Sequence, residues 1–148
     1  MSTKLKSSML PCGERGQVSM DPLTSLTLPS RYYYDESIYR QEMTHIHRKS
    51  WTYVGHLCEV ASAGQYFTDT VGEQPIVVVR GHDDVVRCFF NVCSHRGHKL
   101  LEGAGRLKSK GIMCPYHAWM YHLDGKLGSA RLTDTVKDFD KAQFGLKE

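Results

Sequence analysis

The sequence predicts a mainly β fold, an antiparallel sandwich preceded by one N-terminal α-helix. Three observations carry that prediction. From Leu57 to Ser129, short apolar or alternating runs recur with turn residues between them, as in strands joined by hairpins. An earlier segment places Tyr39, Met43 and Ile46 at i, i+4 and i+7, which is a helical period. The 148 residues suffice for one domain with a modest core.

The elements are taken in chain order. Residues 1–28 are rich in Ser, Lys and Gly and contain no continuous apolar stretch, so they read as a polar lead-in without a secretory signal. Residues 29–55 form a helical segment. Asp35 is placed to cap the helix and Glu36 to sit in its first turn, where negative charge suits the dipole. The stripe continues to Ser50, and Trp51 is expected to close the helix against the succeeding segment.

Residues 56–130 carry the strands. Gln65-Tyr66-Phe67-Thr68 precedes the turn region Val71-Gly72-Glu73-Gln74-Pro75 and the apolar run Ile76-Val77-Val78-Val79. Gly81-His82-Asp83-Asp84 reads as a hairpin turn. In the next strand Val86, Cys88, Phe90 and Val92 form one face and Val85, Arg87, Phe89 and Asn91 the other. The first set is expected to face the core, with Cys88 as a small buried hydrophobe. Gly103-Ala104-Gly105 and Lys108-Ser109-Lys110-Gly111 bracket a short strand, Ile112-Met113 leads into Cys114, and Asp124-Gly125 is a second hairpin signal. After Ser129 the pattern loosens.

Composition excludes several classes. Hydrophobic residues make up 41% and charged residues 24%, as in folded globular chains. No apolar run approaches the roughly 18 residues that span a bilayer, so no membrane partner is expected. The net charge of +3 is small and scattered, which argues against nucleic acid. The five cysteines, an odd count, do not form a secreted disulfide framework; a reducing cytoplasm is expected.

Chemistry concentrates in two short stretches. Asn91-Val92-Cys93-Ser94-His95-Arg96-Gly97-His98 and Met113-Cys114-Pro115-Tyr116-His117-Ala118-Trp119 reduce to Cys-x-His, eighteen residues, then Cys-x-x-His. Each pair comes just after a strand, at a turn containing Gly or Pro. Two such turns at one end of a sandwich could close on metal from opposite sides, making Cys93, His95, Cys114 and His117 candidate ligands. Zinc also accepts two Cys and two His. Zinc fingers, however, place two Cys before two His, whereas the order here alternates. The other histidines have plainer readings: His45 and His47 on the helix, His82 in a turn, His98 and His122 on the surface. Cys12 is expected to be exposed and free. Arg96, Lys99, Arg106, Lys108 and Lys110 make the intervening segment basic, a candidate docking face for an acidic partner.

On these residues the chain resembles the Rieske domain of aromatic-ring-hydroxylating oxygenase large subunits. The likeness runs from about Pro29 to Leu146 and includes Trp51, Arg80, Asn91 and the Leu123-Asp124-Gly125 turn. It implies a Rieske-type sandwich with its cluster-binding loops at one end and a [2Fe–2S] cofactor. Cys93 and Cys114 would bind one iron as thiolates, and His95 and His117 the other as imidazoles. With two thiolates and two neutral imidazoles the oxidised centre sums to zero charge; four thiolates would leave it negative and harder to reduce. High-potential relatives carry a disulfide at the positions of His98 and Tyr116 and a Ser hydroxyl at that of Trp119. Their absence here, tempered by the Tyr121 hydroxyl, implies a potential near about −150 mV.

The resemblance further implies an electron donor, a ferredoxin or flavin reductase, and an acceptor, a catalytic iron domain or a neighbouring oxygenase subunit. In that family the oxygen chemistry occurs at a mononuclear iron held by two His and a carboxylate, for which no triad is evident in this chain. Residues 131–148 resemble the entry to that absent catalytic domain. Three functions are consistent with these residues: the N-terminal electron-transfer part of an oxygenase subunit, a free-standing Rieske ferredoxin, or a zinc-filled interaction module. The helix before the sheet favours the first.

Overall fold

The computed structural model describes residues 19–148. Cys12 and most of the lead-in lie outside the described residues. The chain divides into two compact units, one ending at Trp51 and one spanning Thr52–Glu148.

In the first unit, α1 spans Glu36–His45. Asp35 caps it as expected: its carboxylate accepts from Ser37 N at 2.8 Å and Ser37 Oγ at 2.6 Å. Glu36 and Arg40 pair one turn apart at 3.0 Å. The helix stops earlier than the apolar stripe suggests. Ile46 is its C-cap, a 3-10 turn covers His47–Lys49, and the Ser50 hydroxyl donates to Ile46 O at 2.7 Å. Such local bonds compete with helix continuation. No residue of α1 is buried, and Trp51 is fully exposed. The helix is closed at its C-cap Ile46, before the chain reaches Trp51.

The second unit is the sandwich. One sheet contains β1 (Gln65–Val71), β2 (Gln74–Arg80), β3 (Val86–Phe90) and β4 (Ala104–Arg106), in the order β3-β2-β1-β4. The other contains β5 (Ile112–Met113), β6 (Met120–Tyr121) and β7 (Leu127–Ser129). The strand pairings in both sheets are antiparallel. The expected turn of five residues shrinks to Gly72-Glu73, because Val71 already pairs with Gln74. The Asp124-Gly125 hairpin forms as expected. Gly125 sits at φ +85°, and a Cβ there would stand 2.7 Å from the Phe89 ring, so this turn needs glycine twice over.

The run from Ile76 to Val79 is buried at every position because β2 is covered on both faces. Val77 and Val79 join Phe89, Ile112, Tyr121 and Leu127 between the sheets. Ile76 and Val78 join Val60 and Phe67 on the outer side. This arrangement reverses the expected phase of β3. Val77 pairs with Phe89, so Phe89, Asn91 and Cys93 point inward, while Cys88 and Phe90 are exposed on an edge strand. With one Phe on each face, apolarity alone could not set the phase.

Strand polarity also disperses the basic segment. Arg106 pairs with Gln65 at the start of β1, whereas Cys93 comes after β3, at the end where Phe90 meets Ile76. Arg106 thus emerges at the opposite end of the sheet from Cys93. Lys99 is paired with Glu102 at 3.1 Å. Arg96 and Lys99 both lie on the first ligand-bearing loop, so Arg106 stands apart from them along the sheet.

Candidate metal centre

Both ligand stretches adopt one backbone turn. In the first, Cys93 N donates to His98 O at 2.8 Å and Gly97 N donates to Cys93 O at 2.9 Å. In the second, Cys114 N donates to Trp119 O at 2.8 Å and Ala118 N to Cys114 O at 3.0 Å. The residue four places after each cysteine has positive φ: Gly97 at +69° and Ala118 at +55°. The turn is the same, but histidine is the second residue after Cys93 and the third after Cys114. That offset is the structural origin of the unequal spacing.

The first turn is held from below by Asn91, which is buried at 1% exposure. Its Oδ1 accepts from Leu100 N and Leu101 N at 3.2 and 3.0 Å, and its Nδ2 donates to Leu101 O at 2.8 Å. These three bonds satisfy a buried amide and cinch the loop, as does the bridge between Val92 and Lys99. The second turn is set by the β5–β6 hairpin, in which Met113 pairs with Met120.

The two turns face one another. Cys93 and Cys114 are buried at 2% exposure each and close enough for their thiols to interact. The His95 and His117 rings meet edge-on with centroids 4.7 Å apart. Among the described residues no three His, Cys, Asp or Glu side chains gather about a single point; the four candidates form two pairs, sulfur with sulfur and imidazole with imidazole. Trp119 stacks on His95 at 4.6 Å with planes 8° apart, and Tyr116 lies 3.7 Å from His117. His98 and Tyr116, matched to the disulfide positions of high-potential relatives, are themselves neighbours at 5.6 Å.

Electrostatics prepare these groups for metal. Burial, with Cys93 beside it, pushes the Cys114 thiol upward, so metal rather than solvent must displace its proton. Burial, reinforced by His117 and Arg96, holds His95 below the usual imidazole range, which favours the neutral ligating form. Tyr121 Oη lies 3.1 Å from Cys93 Sγ and accepts from Ser94 N at 3.1 Å. A Cys93 thiolate has no proton to give, so once Cys93 is deprotonated the phenolic O–H is the donor to the sulfur. Burial and that contact raise the Tyr121 pKa, keeping it a donor.

A test of fit comes from one atom. His117 Nδ1 is buried without a hydrogen-bond partner. Such an orphan is costly in a folded protein, and it is resolved if Nδ1 binds iron. Two buried thiols, an orphaned ring nitrogen and a second neutral imidazole fit a [2Fe–2S] unit with sulfur on one iron and nitrogen on the other.

A protein-family model described as the Rieske [2Fe-2S] domain matches residues 50–140. The chain belongs to the Rieske [2Fe-2S] domain family. Proteins of that family bind a [2Fe–2S] cluster. The chain is 46% identical over 126 residues to the carnitine monooxygenase oxygenase subunit of Escherichia coli (strain K12), covering 84% of this chain and 33% of that protein. It is 41% identical over 121 residues to the glycine betaine monooxygenase oxygenase subunit of Chromohalobacter salexigens, covering 82% and 27%. Among solved structures, the apo quaternary ammonium Rieske monooxygenase CntA matches with TM-score 0.78 and 43% identity, over 82% of this chain and 35% of that one. The chain thus spans about a third or less of the length of the relatives it matches. Its Rieske fold, mainly antiparallel β with one helix, and its kinship with oxygenase subunits are as the sequence predicted. No helix among the described residues is long and apolar enough to cross a membrane.

Sequence reasoning did not find Ala118, whose backbone strain has no compositional signal, nor the segment after Ser129. In that segment Phe139 and Phe144 meet Trp119 edge-on at 5.8 and 5.7 Å. The aromatic pair, five residues apart, was the available clue.

Proposed function

We propose that this chain is the N-terminal, electron-transferring part of an oxygenase subunit of the quaternary-ammonium monooxygenase type. The pairing of two buried thiols with two facing imidazoles, one carrying an orphaned Nδ1, carries the electron-transfer reading. Cys93 and Cys114 hold one iron as thiolates, and His95 and His117 hold the other as neutral imidazoles. When bound, the cluster accepts and returns one electron at a time. Tyr121 donates to the Cys93 sulfur, spreading its negative charge. Trp119 and Tyr116 flank the two rings and limit their rotation, and Asn91 fixes the loop that presents His95.

The substrate class is proposed from the relatives, whose names specify carnitine and glycine betaine. Hydroxylation requires the remainder of such a subunit. The donor is a ferredoxin or flavin reductase, and the acceptor a catalytic iron domain or neighbouring subunit. In this reading residues 56–130 are the cluster domain, 29–55 a helical preface, and 131–148 the approach to the catalytic domain. Among the described residues the thiols Cys58, Cys88, Cys93 and Cys114 are free, which supports a reducing cytoplasmic location.

The test is anaerobic loading with iron and sulfide, then chemical reduction and mixing with a catalytic iron domain. The loaded chain should be brown, hydroxylate no substrate alone, and pass electrons to the added domain. Hydroxylation by the isolated chain, or a colourless protein holding stoichiometric zinc, would overturn the proposal.

A further inference from the structure

The two ligand turns belong to different hairpins, yet one later segment holds both. After Phe139, Asp140 caps a 3-10 turn over Lys141–Phe144 by accepting from Ala142 N at 2.9 Å. Residues 145–147 are then pinned at three points. The Ser94 hydroxyl, between candidate ligands Cys93 and His95, donates to Gly145 O at 2.9 Å. Leu146 N donates to Gly125 O at 2.8 Å, and Phe90 N donates to Lys147 O at 2.9 Å. Phe90 immediately precedes the Asn91 loop, so this bond also ties the exposed side of β3.

The same segment reaches the second turn through aromatic contacts. Phe139 and Phe144 stack at 4.9 Å and both meet Trp119 edge-on. Trp119 in turn lies flat on His95. Phe144 lines both the groove of about 930 Å³ beside His95 and His117 and the cavity of about 530 Å³ beside Cys93 and Ser94. It is therefore a shared wall between the two loops.

We infer that residues 139–147 form a strap that sets the relative placement of the two ligand turns, with Ser94 and Phe144 as its positioning residues; this rests on the iron–sulfur reading proposed above. Ser94 fixes the first turn by its hydroxyl on the strap, while its backbone N–H is held by Tyr121. Phe144 fixes the second turn through Trp119, and Trp119 restricts the His95 ring. Supporting contacts of this kind orient metal ligands and tune the metal they hold. The strap thereby tunes a centre it does not ligate.

The experiment compares the loaded full chain with Ser94→Ala, Phe144→Ala, the double variant, and Ser94→Thr, which keeps the hydroxyl. Amide exchange at Phe90 and Leu146 reports whether the strap is closed. The electron spin resonance g-values, the midpoint potential and the rate of cluster loss report on the centre. In the double variant both amides should lose protection, the g-values and potential should shift, and cluster loss should accelerate roughly tenfold. Ser94→Ala alone should show the same changes in smaller measure, and Ser94→Thr should match the unmodified chain. Retained protection in the double variant would show that these side chains do not hold the strap. Lost protection with unmoved g-values and potential would show that the strap does not position the ligands. Either result overturns the inference while leaving the electron-transfer reading intact; an unmodified chain with no Rieske-type signal overturns both.

Discussion

At the scale of single residues, the proposed centre depends on a few directed contacts. Tyr121 is the clearest. Its oxygen accepts from Ser94 N and lies 3.1 Å from Cys93 Sγ; toward a ligating thiolate it can only donate, and donation to a sulfur ligand stabilises the reduced state most. Tyr121→Phe should therefore lower the midpoint potential without changing the iron content; an unchanged potential in a redox titration would contradict the assigned direction. The paired positive φ values make a second prediction. Gly97→Ala meets no atom within 4 Å, so its cost is conformational alone, about 1–2 kcal/mol. Ala118→Gly relieves the same strain in the other turn and should stabilise by up to about 1 kcal/mol, less the added freedom of the unfolded chain. Denaturant unfolding checks both signs. Of the two positions, only Gly97 could be recognised from the sequence, because glycine advertises positive φ and alanine conceals it.

At the scale of elements, the ligand loops were legible as chemistry but not as mechanics. Cys and His at one- and two-residue gaps are visible in a linear string. The identity of the two turns appears only when backbone bonds are traced. The strand phase of β3 and the strap were illegible for one reason: each is settled by distant partners. Val77 decides which face of β3 is inside, and Ser94 meets Gly145 across 51 residues. The Asn91 loop offers a test at this scale. Asn91→Leu leaves Leu100 N, Leu101 N and Leu101 O buried without their partner, which should cost about 3 kcal/mol and impair cluster loading. A variant with unaltered unfolding midpoint would show that the loop holds its shape without Asn91.

The β2–β3 hairpin adds a pH dependence. Asp83 bonds Arg87 at 2.7 and 3.0 Å, and those bonds, foremost among its causes, hold its carboxyl down to about 2. A carboxyl depressed on folding binds fewer protons native than unfolded, so its contribution is fully present above the ordinary value of 3.8 and is lost as pH falls toward about 2. Amide protection in the hairpin, corrected for intrinsic exchange, should fall over that window. Asp83→Asn should remove this component of the pH dependence; an identical acid profile in the variant would contradict it.

At the scale of the whole molecule, the sandwich brings two hairpins to one end and presents two imidazoles where Trp119, Arg96 and Arg131 border an open groove. His95 and His117 line that groove while Cys93 and Cys114 are buried, so in the proposed centre the imidazoles would be the groove-facing ligands. The proposed function rests on two imidazoles and two thiols of this chain holding one two-iron unit. The most direct test is pulsed electron spin resonance on the reduced, iron-loaded protein with nitrogen-15 in its histidines. Two strongly coupled histidine nitrogens are predicted, with one lost in each of His95→Ala and His117→Ala wherever iron is retained. A reduced iron–sulfur signal with no histidine coupling would contradict that assignment.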